Sequence, residues 1–287
     1  MILSRDDWEV RARAHHDRAD ELTAGHRDRA SRREKHPVWD FLFTYYSPKP
    51  AQLRRWHPGA GIELRDAGER RDWRWYRPGT TPDSVVPDAE AFAAQKPELA
   101  VLVERMLRRT ATRPGQFGCF GLHEWAMVYR ADENRHAVPL RLGREGTDAV
   151  VEAHDLRCTH FDAFRFFTPE AVPRNRTTLT RDDQPFVEQP GCLHAGMDLY
   201  KWATKLGPLV PGELLLDTFE LARDIRLLDM QAAPYDLSAW AVDPVRIETA
   251  EGKAEYVRRQ RGFAERGAVL RTALLAAWKG EAHTAAA

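Results

Sequence analysis

Residues 212–230 read GELLLDTFELARDIRLLDM, and this stretch predicts one long helix around which the rest of the fold can be placed. Glu213, Asp217, Glu220 and Asp224 project into one narrow arc of that helix, with leucines on both sides. A solvated polar face is normally broader, so these acidic side chains need partners. Arginines from other helices are the most economical partners, whereas a bound ion or a water-filled groove would also satisfy the arc.

Helix signals dominate on both sides of this stretch. Ser4-x-x-Asp7 is a capping box that opens a helix running to about residue 30. Thr159-x-x-Asp162 has the same form and predicts a short aromatic helix that Pro169 closes. Further helices are predicted over residues 37–46, 88–110, 192–205 and 253–279, with another around His123.

Strand signals are few. Residues 61–77 predict two short strands around a polar turn, and residues 138–142 and 148–154 predict a hairpin. Residues 78–88 and 170–190 are polar and Pro-interrupted, which is typical of loops. The predicted fold class is therefore mainly α with minor β-hairpins, in a single compact helical domain. We expect an N-terminal polar helix over 1–35, a main helical domain over 36–279 and a frayed tail over 280–287.

Composition limits the class of protein. The chain has 287 residues, of which 43% are hydrophobic, enough for a full core. Its 43 basic and 43 acidic residues cancel, so net charge gives no argument for nucleic-acid binding. No apolar run approaches the roughly 20 residues that span a bilayer. Three cysteines and an N-terminus without an apolar leader segment predict a cytoplasmic protein with no membrane partner.

All three cysteines lie within four residues of a following histidine. The segments are Cys119 to His123, Cys158 to His160, and Cys192 to His194. Each segment is also rich in aromatic and acidic side chains, which predicts a buried pocket where burial perturbs titratable groups. This pattern indicates the place of a site but not its reaction.

Two of these segments pair a histidine with an acid. His194 and Asp198 share one helix face, so the carboxylate could orient the imidazole for metal binding or base catalysis, or form a purely structural hydrogen bond. His160 and Asp162 lie among four phenylalanines. There Asp162 is a helix cap, a partner of Arg165 or Arg157, or an acid of raised pKa.

The third segment places His123 and Glu124 side by side. Adjacent residues point about 100° apart on a helix, so only one of the two is expected to enter a given pocket. No second histidine completes a zinc-protease HExxH motif. The chain also lacks a Walker A loop, a G-x-G-x-x-G turn, a G-x-S-x-G elbow and a Cys-x-x-Cys pair.

Several longer strings carry a family resemblance. They are KHPVWDFLFTYYSPKPAQLRRWHPG (35–59), FGCFGLHEWAMVYR (117–130), CTHFDAFRFFTP (158–169), QPGCLHAGMDLYKWATKL (189–206) and ELARDIRLLDMQAAPYDL (220–237). Together they resemble an actinobacterial family labelled 3-methyladenine DNA glycosylase. The resemblance implies a DNA-repair hydrolase that removes alkylated purines, acts on DNA and needs no cofactor. Because the chain lacks the LPGxG hairpin and the helical repeats of known alkylpurine glycosylases, no catalytic residue is carried over.

The residues permit such an activity, which needs stacking walls, a carboxylate and phosphate contacts. Asp162 or Asp198 could supply the carboxylate. Candidate stacking walls are Trp125, Phe161, Phe164 and Tyr200, and candidate phosphate contacts are Arg54 and Arg55.

An oxidoreductase is the alternative to the glycosylase. In that hypothesis His123, His160 or His194 binds haem or iron, and the aromatic residues enclose an aromatic substrate. The alternative explains the cysteine and histidine clustering better than base excision does. The sequence leaves the oligomeric state and the substrate open.

Overall fold

The computed structural model describes residues 1–46, 48–131 and 138–279, and the predicted tail over 280–287 lies outside them. Within this part the chain is mainly helical with one small sheet, which confirms the predicted class. No described helix is both long and apolar enough to cross a membrane. The helices are α1 Arg5–Ser31, α2 Phe41–Thr44, α3 Pro50–Leu53, α4 Ala89–Gln95, α5 Pro97–Ala111, α6 Leu122–Ala126, α7 Gly143–Glu152, α8 Phe161–Phe164, α9 Gln184–Val187, α10 Leu193–Leu206, α11 Gly212–Gln231 and α12 Ala250–Ala277.

The chain divides into two compact units, each built from separate segments. Unit 1 comprises Met1–Arg108, Asp198–Ala222 and Val269–Ala287, and unit 2 comprises Arg109–Met197 and Arg223–Ala268. Residues 1–35 are thus grouped in unit 1 with the segments that follow them, and the expected boundary at residue 35 stays a prediction.

Helix α1 begins where the capping box predicts. Ser4 is the N-cap, and its hydroxyl oxygen accepts a hydrogen bond of 3.2 Å from the backbone N–H of Asp7. The helix buries Trp8, Ala12, His15, Ala19 and Thr23, which recur every three or four residues and therefore form one face. This face packs α1 into unit 1 and explains how a strongly polar sequence forms an ordered helix.

The sheet of unit 1 has four short strands, β1 Ile2–Leu3, β2 Glu63–Leu64, β3 Tyr76–Pro78 and β4 Val85–Pro87. Their order in the sheet is β1-β2-β4-β3. Strand β1 is parallel to β2, whereas the β2–β4 and β3–β4 pairs are antiparallel. Strands β2 and β3 lie on either side of the turn predicted between residues 61 and 77, but they do not pair with each other. Strand β4, which falls in the loop predicted over residues 78–88, lies between them in the sheet.

Three local predictions need correction. The hairpin predicted over 138–154 is wrong, because Thr147, Val150 and Val151 follow helical spacing and form the buried face of α7. The predicted helix 88–110 is two helices, since Pro97 cannot continue α4 and instead begins α5. In the predicted helix 37–46 only α2, Phe41–Thr44, is helical.

The acidic arc of α11 is paired mainly with arginines, as its narrowness predicts. Arg18 of α1 contacts both Asp217 and Glu220 at 2.7 Å. Asp224 accepts a hydrogen bond of 2.8 Å from Arg266 of α12. The carboxylate of Glu213 instead accepts a hydrogen bond of 3.0 Å from the indole N–H of Trp56. No ion is needed to explain the arc.

Asp40 ties the segment before α2 to helix α1. Its carboxylate accepts a 2.5 Å hydrogen bond from Arg29, a 2.9 Å contact from His26 and a 2.8 Å bond from the backbone N–H of His36. Burial alone would raise the pKa of Asp40, but these bonds lower it to about 2. Unit 1 therefore holds this carboxylate in its ionised form.

Stability at acid pH should depend on Asp40. Because its folded-state pKa lies below the unfolded value of 3.8, its contribution is present above that value and is lost as pH falls through about 2. We expect the free energy of unfolding of the wild type to fall more steeply than that of Asp40→Asn between about pH 5 and pH 2. Urea titrations across this range measure both curves, and parallel curves would contradict the assignment.

Candidate active site

Unit 2 contains a cavity of about 300 Å³ that all three cysteine-histidine segments reach. We call it the cysteine cavity. The clustering seen in the sequence therefore corresponds to one place in the fold. Besides other residues, its wall includes Cys119, Cys158, Cys192, His123, His194, Tyr256 and Gln260.

A tight turn sets the position of Cys119. The backbone N–H of Leu122 donates to the carbonyl of Cys119 at 2.9 Å, and both residues between them have positive φ, 49° at Phe120 and 72° at Gly121. A left-handed backbone is unusual for a bulky residue such as Phe120, and such strain concentrates at functional sites. The turn leads directly into α6, which carries His123.

Cys119, His123 and Asp229 form a relay at the cavity. The Sγ atom of Cys119, which precedes the turn, lies 3.7 Å from Nδ1 of His123, four residues later on α6. The other ring nitrogen, Nε2, lies 2.9 Å from Oδ1 of Asp229, 106 residues away on α11. The carboxylate accepts the Nε2–H, so Nδ1 faces the sulfur. A thiol, a base and an orienting carboxylate in this order are the signature of an activated nucleophile.

The charges within the relay are strongly coupled. Burial of His123 opposes its protonation, but the Asp229 carboxylate and the contact with Cys119 raise its pKa well above the usual value. Burial likewise opposes ionisation of Asp229, yet His123, His194 and Arg226 lower its pKa. The relay therefore holds His123 as an imidazolium beside an ionised carboxylate.

Arg226 completes the charge balance of the buried relay. Its Nη1 donates to Oδ2 of Asp229 at 2.8 Å and to Oε1 of Glu124 at 3.3 Å. Glu124 does not line the cavity, in agreement with the expectation that only one of His123 and Glu124 enters it. We infer that Glu124 fixes Arg226 and has no direct contact with a substrate.

The three histidines form a row of neighbouring rings. His194 meets His123 edge-on at a centroid distance of 4.6 Å and stacks on His160 at 5.1 Å. His160 is fully buried, and its Nε2 lies 3.2 Å from Oε1 of Glu188. The ligand set expected for a haem or iron site is thus brought together, although His160 does not line the cavity.

The other two thiols of the cavity are held neutral. Burial, followed by the neighbouring sulfurs, raises the pKa of Cys158 well above its usual value, and Cys158 donates to the carbonyl of His160 at 3.5 Å. Burial is also the main cause of the raised pKa of Cys192. Among the three cysteines, only Cys119 has a described contact with an imidazole nitrogen. Cys119 is therefore the candidate nucleophile.

A buried amide lies on the cavity wall. Gln260 is 1% exposed, and its Nε2 donates to the carbonyl of Gly191 at 2.7 Å. Its Oε1 has no hydrogen-bond partner within the described part of the chain. Buried polar atoms are almost always paired, so this oxygen is suited to accept an N–H from a bound molecule.

Three of these groups could also ligate a metal. The ligand atoms of His123, His194 and Asp229 lie within 4.8 Å of one another. However, the Arg226 guanidinium already occupies a position 2.8 Å from the same carboxylate, and His123 is held protonated. A metal ion would have to displace that proton and tolerate the adjacent cation. The charge arrangement therefore favours the thiol relay over a metal centre.

The two carboxylates chosen from sequence lie elsewhere. Asp162 contacts Arg181 at 3.2 Å and Arg165 at 3.5 Å, and it does not line the cysteine cavity. Its helix, α8, has His160 as N-cap without a side-chain cap bond, so the predicted capping box is wrong. Asp198 belongs to unit 1, where Lys201 and the hydroxyl of Tyr46 donate to it.

The predicted stacking residues are mostly core. Trp125 is fully buried and donates its indole N–H to the carbonyl of Ala232 at 2.8 Å. Phe164 packs on Phe167, and Tyr200 is fully buried in unit 1. The ring of Phe161 lies under the Arg181 guanidinium at 5.0 Å. None of the four proposed stacking residues lines the cavity, because their apolar surfaces are used in packing.

The two arginines predicted to contact phosphate, Arg54 and Arg55, have different partners in the fold. Arg54 is paired with Asp20 at 3.0 Å, which neutralises it. Arg55 instead lies over the ring of Trp73 at 5.0 Å in unit 1.

Sequence reasoning missed Asp229 and Gln260. The only local signal for Asp229 is Arg226-x-x-Asp229 on one helix face, which resembles an ordinary surface ion pair. Gln260 lies in the long polar helix α12 and has no motif around it.

Gly121 gives a direct test of the turn that places Cys119. A Cβ at this position would be strained by φ of +72° and would lie 3.2 Å from Cβ of Ala232. We expect Gly121→Ala to lower the free energy of unfolding by about 1–2 kcal/mol. The matched control is Gly262→Ala in α12, where an added Cβ meets nothing within 4 Å and should stabilise by up to about 1 kcal/mol. Equal urea midpoints for the two variants would contradict the assigned turn.

Comparison with known proteins gives no match to a protein-family model, to a curated protein or to a solved structure.

Proposed function

We propose that this protein is a cysteine-dependent hydrolase of acyl compounds, with Cys119 as nucleophile, His123 as general acid and base, and Asp229 as the orienting carboxylate. The observation that carries the proposal is the continuous relay from Cys119 Sγ through His123 to Asp229 at distances of 3.7 and 2.9 Å. Cys119 and His123 of this relay line a cavity large enough for a small substrate.

The relay supports a two-step reaction. In the resting relay the proton of Cys119 lies on Nδ1 of the His123 imidazolium, and the Cys119 thiolate attacks the acyl carbon of the substrate. As the bond to the leaving group breaks, His123 returns the proton to that group and a thioester remains on Cys119. Water then attacks the thioester while His123 takes its proton, the carboxylic acid leaves, and the Cys119 thiolate beside the His123 imidazolium is regenerated.

Two wall residues indicate the kind of acyl compound. The Oε1 atom of Gln260 needs an N–H donor, which an amide substrate provides. The exposed side chain of Arg176 also lines the cavity, and its guanidinium can bind an anionic group. A substrate with an N–H and a negative charge would satisfy both groups.

Base excision remains a second proposal, carried by the resemblance described above. The cavity offers aromatic side chains in Phe117 and Tyr256 and an arginine in Arg176, which could hold a flipped base and its phosphate. Both oxygens of Asp229 are, however, already bonded to His123 and Arg226. This arrangement leaves that carboxylate poorly placed to activate water, so the thiol relay is the stronger candidate.

The test is hydrolysis of a panel of para-nitrophenyl esters and para-nitroanilides, with mass spectrometry of the protein during turnover. We expect an acyl adduct on Cys119 and a loss of at least about 10³-fold in kcat/KM for Cys119→Ala. Cys192→Ala is the matched control because Cys192 lines the same cavity, and it should retain activity within about tenfold.

Three results would overturn the proposal. The first is absence of both adduct and turnover across the panel. The second is stoichiometric metal in the purified protein with activity that a chelator removes, which would favour the metal site at His123, His194 and Asp229. The third is release of methylated purines from duplex DNA that persists in Cys119→Ala, which would favour base excision.

A further inference from the structure

Unit 1 contains a separate cavity of about 330 Å³ that the proposed hydrolase does not use. Three segments of the unit form it, residues 48–57, 73–75 and 203–215. Its floor is apolar, with Leu53, Pro208 and Leu215. Its polar lining consists mainly of groups that donate hydrogen bonds, so we call it the arginine cavity.

Two arginines of this lining are stacked on tryptophans. The Cζ atom of Arg55 lies 5.0 Å from the ring centroid of Trp73, and that of Arg74 lies 4.1 Å from the ring centroid of Trp75. Stacking fixes the position of a planar guanidinium but leaves its in-plane N–H groups available. Both arginines are thus held in place as donors.

Neither arginine is neutralised by a protein carboxylate. Within the described residues no ion pair involves Arg55 or Arg74, whereas their sequence neighbours Arg54 and Arg71 are paired with Asp20 and Asp83 at 3.0 and 3.1 Å. Aspartates therefore neutralise the neighbouring arginines Arg54 and Arg71 but not Arg55 and Arg74. The lining carries two positive charges that a bound anion would balance.

His57 adds a neutral donor to the same lining. Burial, followed by the charges of Arg70 and Arg55, lowers the pKa of His57 to about 3. Its Nδ1 lies 2.9 Å from the hydroxyl of Tyr76, whose own pKa is raised by burial. The neutral imidazole of His57 carries one N–H, which is on Nε2 when the Tyr76 hydroxyl donates to Nδ1.

We propose that the arginine cavity binds a phosphate monoester carried on a planar or apolar body, of the size of a mononucleotide. A phosphate monoester carries a charge of about −1.5 to −2 near neutral pH, which the two positive charges of Arg55 and Arg74 would balance. The apolar floor and the tryptophans suit an aromatic body. A cavity of about 330 Å³ has the size of a small-molecule site.

The test is isothermal titration calorimetry of the full-length protein with adenosine monophosphate, phenyl phosphate, inorganic phosphate and adenosine. We expect saturable binding of the two monoesters, with inorganic phosphate and adenosine at least about tenfold weaker. Arg55→Gln and Arg74→Gln should each weaken monoester binding by about 10- to 100-fold. Arg54→Gln and Arg71→Gln are the matched controls, and each should change the affinity less than about threefold because these side chains are already paired.

Two results would overturn binding of a phosphate monoester in the arginine cavity. No saturable binding of either monoester, or equal losses in the test and control variants, would overturn the proposal. If a short single-stranded oligonucleotide binds at least about tenfold tighter than adenosine monophosphate, the ligand of this cavity is nucleic acid and the proposed small molecule is wrong. Cys119→Ala should leave monoester binding unchanged, so failure of the proposed hydrolase and failure of this site are distinguishable.

Discussion

Replacing Asp229 with alanine should lower the free energy of unfolding by about 3–5 kcal/mol, the largest loss of stability that we expect from any single charge in the protein. Asp229 is fully buried and holds both the imidazolium of His123 and the guanidinium of Arg226. Its removal leaves two cationic groups without this partner, away from water, and the cost of an uncompensated buried charge exceeds that of a lost hydrogen bond.

The control for this prediction lies on the same helix. Asp224 of α11 is partly exposed and is paired with Arg266 at 2.8 Å, so Asp224→Ala should cost no more than about 1 kcal/mol. Urea denaturation of the two variants and the wild type gives both values. Asp229→Asn is a milder variant for the case in which Asp229→Ala does not fold. Its loss in the free energy of unfolding should lie between those of Asp224→Ala and Asp229→Ala. Similar losses at positions 224 and 229 would contradict the buried relay.

Replacing His123 with glutamine should lower kcat/KM for acyl hydrolysis by about 10²–10⁴-fold, because Cys119 loses the imidazolium that stabilises its thiolate and protonates the leaving group. The control is His160→Gln. His160 is equally buried and also paired with a carboxylate, Glu188, but it does not line the cysteine cavity. We expect that variant to keep activity within about tenfold.

The two histidine variants distinguish a catalytic role from a structural one. If both lose activity in proportion to their loss of stability, His123 has only a structural role. If His160→Gln alone abolishes activity, the row of imidazoles functions as a ligand set and the metal hypothesis is preferred.

Local sequence signals predicted much of the fold. The capping box at Ser4 and the helices α10, α11 and α12 follow from local spacing. The narrow acidic arc of α11 also predicted arginine partners from other helices, although not which helices supply them. Errors arose where composition outweighed spacing. Val150 and Val151 suggested a strand although Thr147 one turn earlier completes a helical face, and a Pro- and Gly-rich stretch concealed strand β4.

The site was predictable only in part. Cys119 and His123 are four residues apart in sequence, and their clustering with the other cysteines and histidines indicates a pocket. Asp229 is 106 residues from His123, and a single sequence carries no signal for such a pair. Asp162 was chosen because phenylalanines surround it in sequence, but Arg181, 19 residues later, reaches its carboxylate in the fold.

The measurement that tests the central claim most directly is peptide mapping of the native protein after brief, substoichiometric treatment with iodoacetamide at neutral pH. The relay predicts that Cys119 carries the label and that Cys158 and Cys192, whose thiols are held neutral by burial, carry at least about tenfold less. Equal labelling of the three cysteines, or preferential labelling of Cys192, would contradict the assignment of Cys119 as an activated nucleophile.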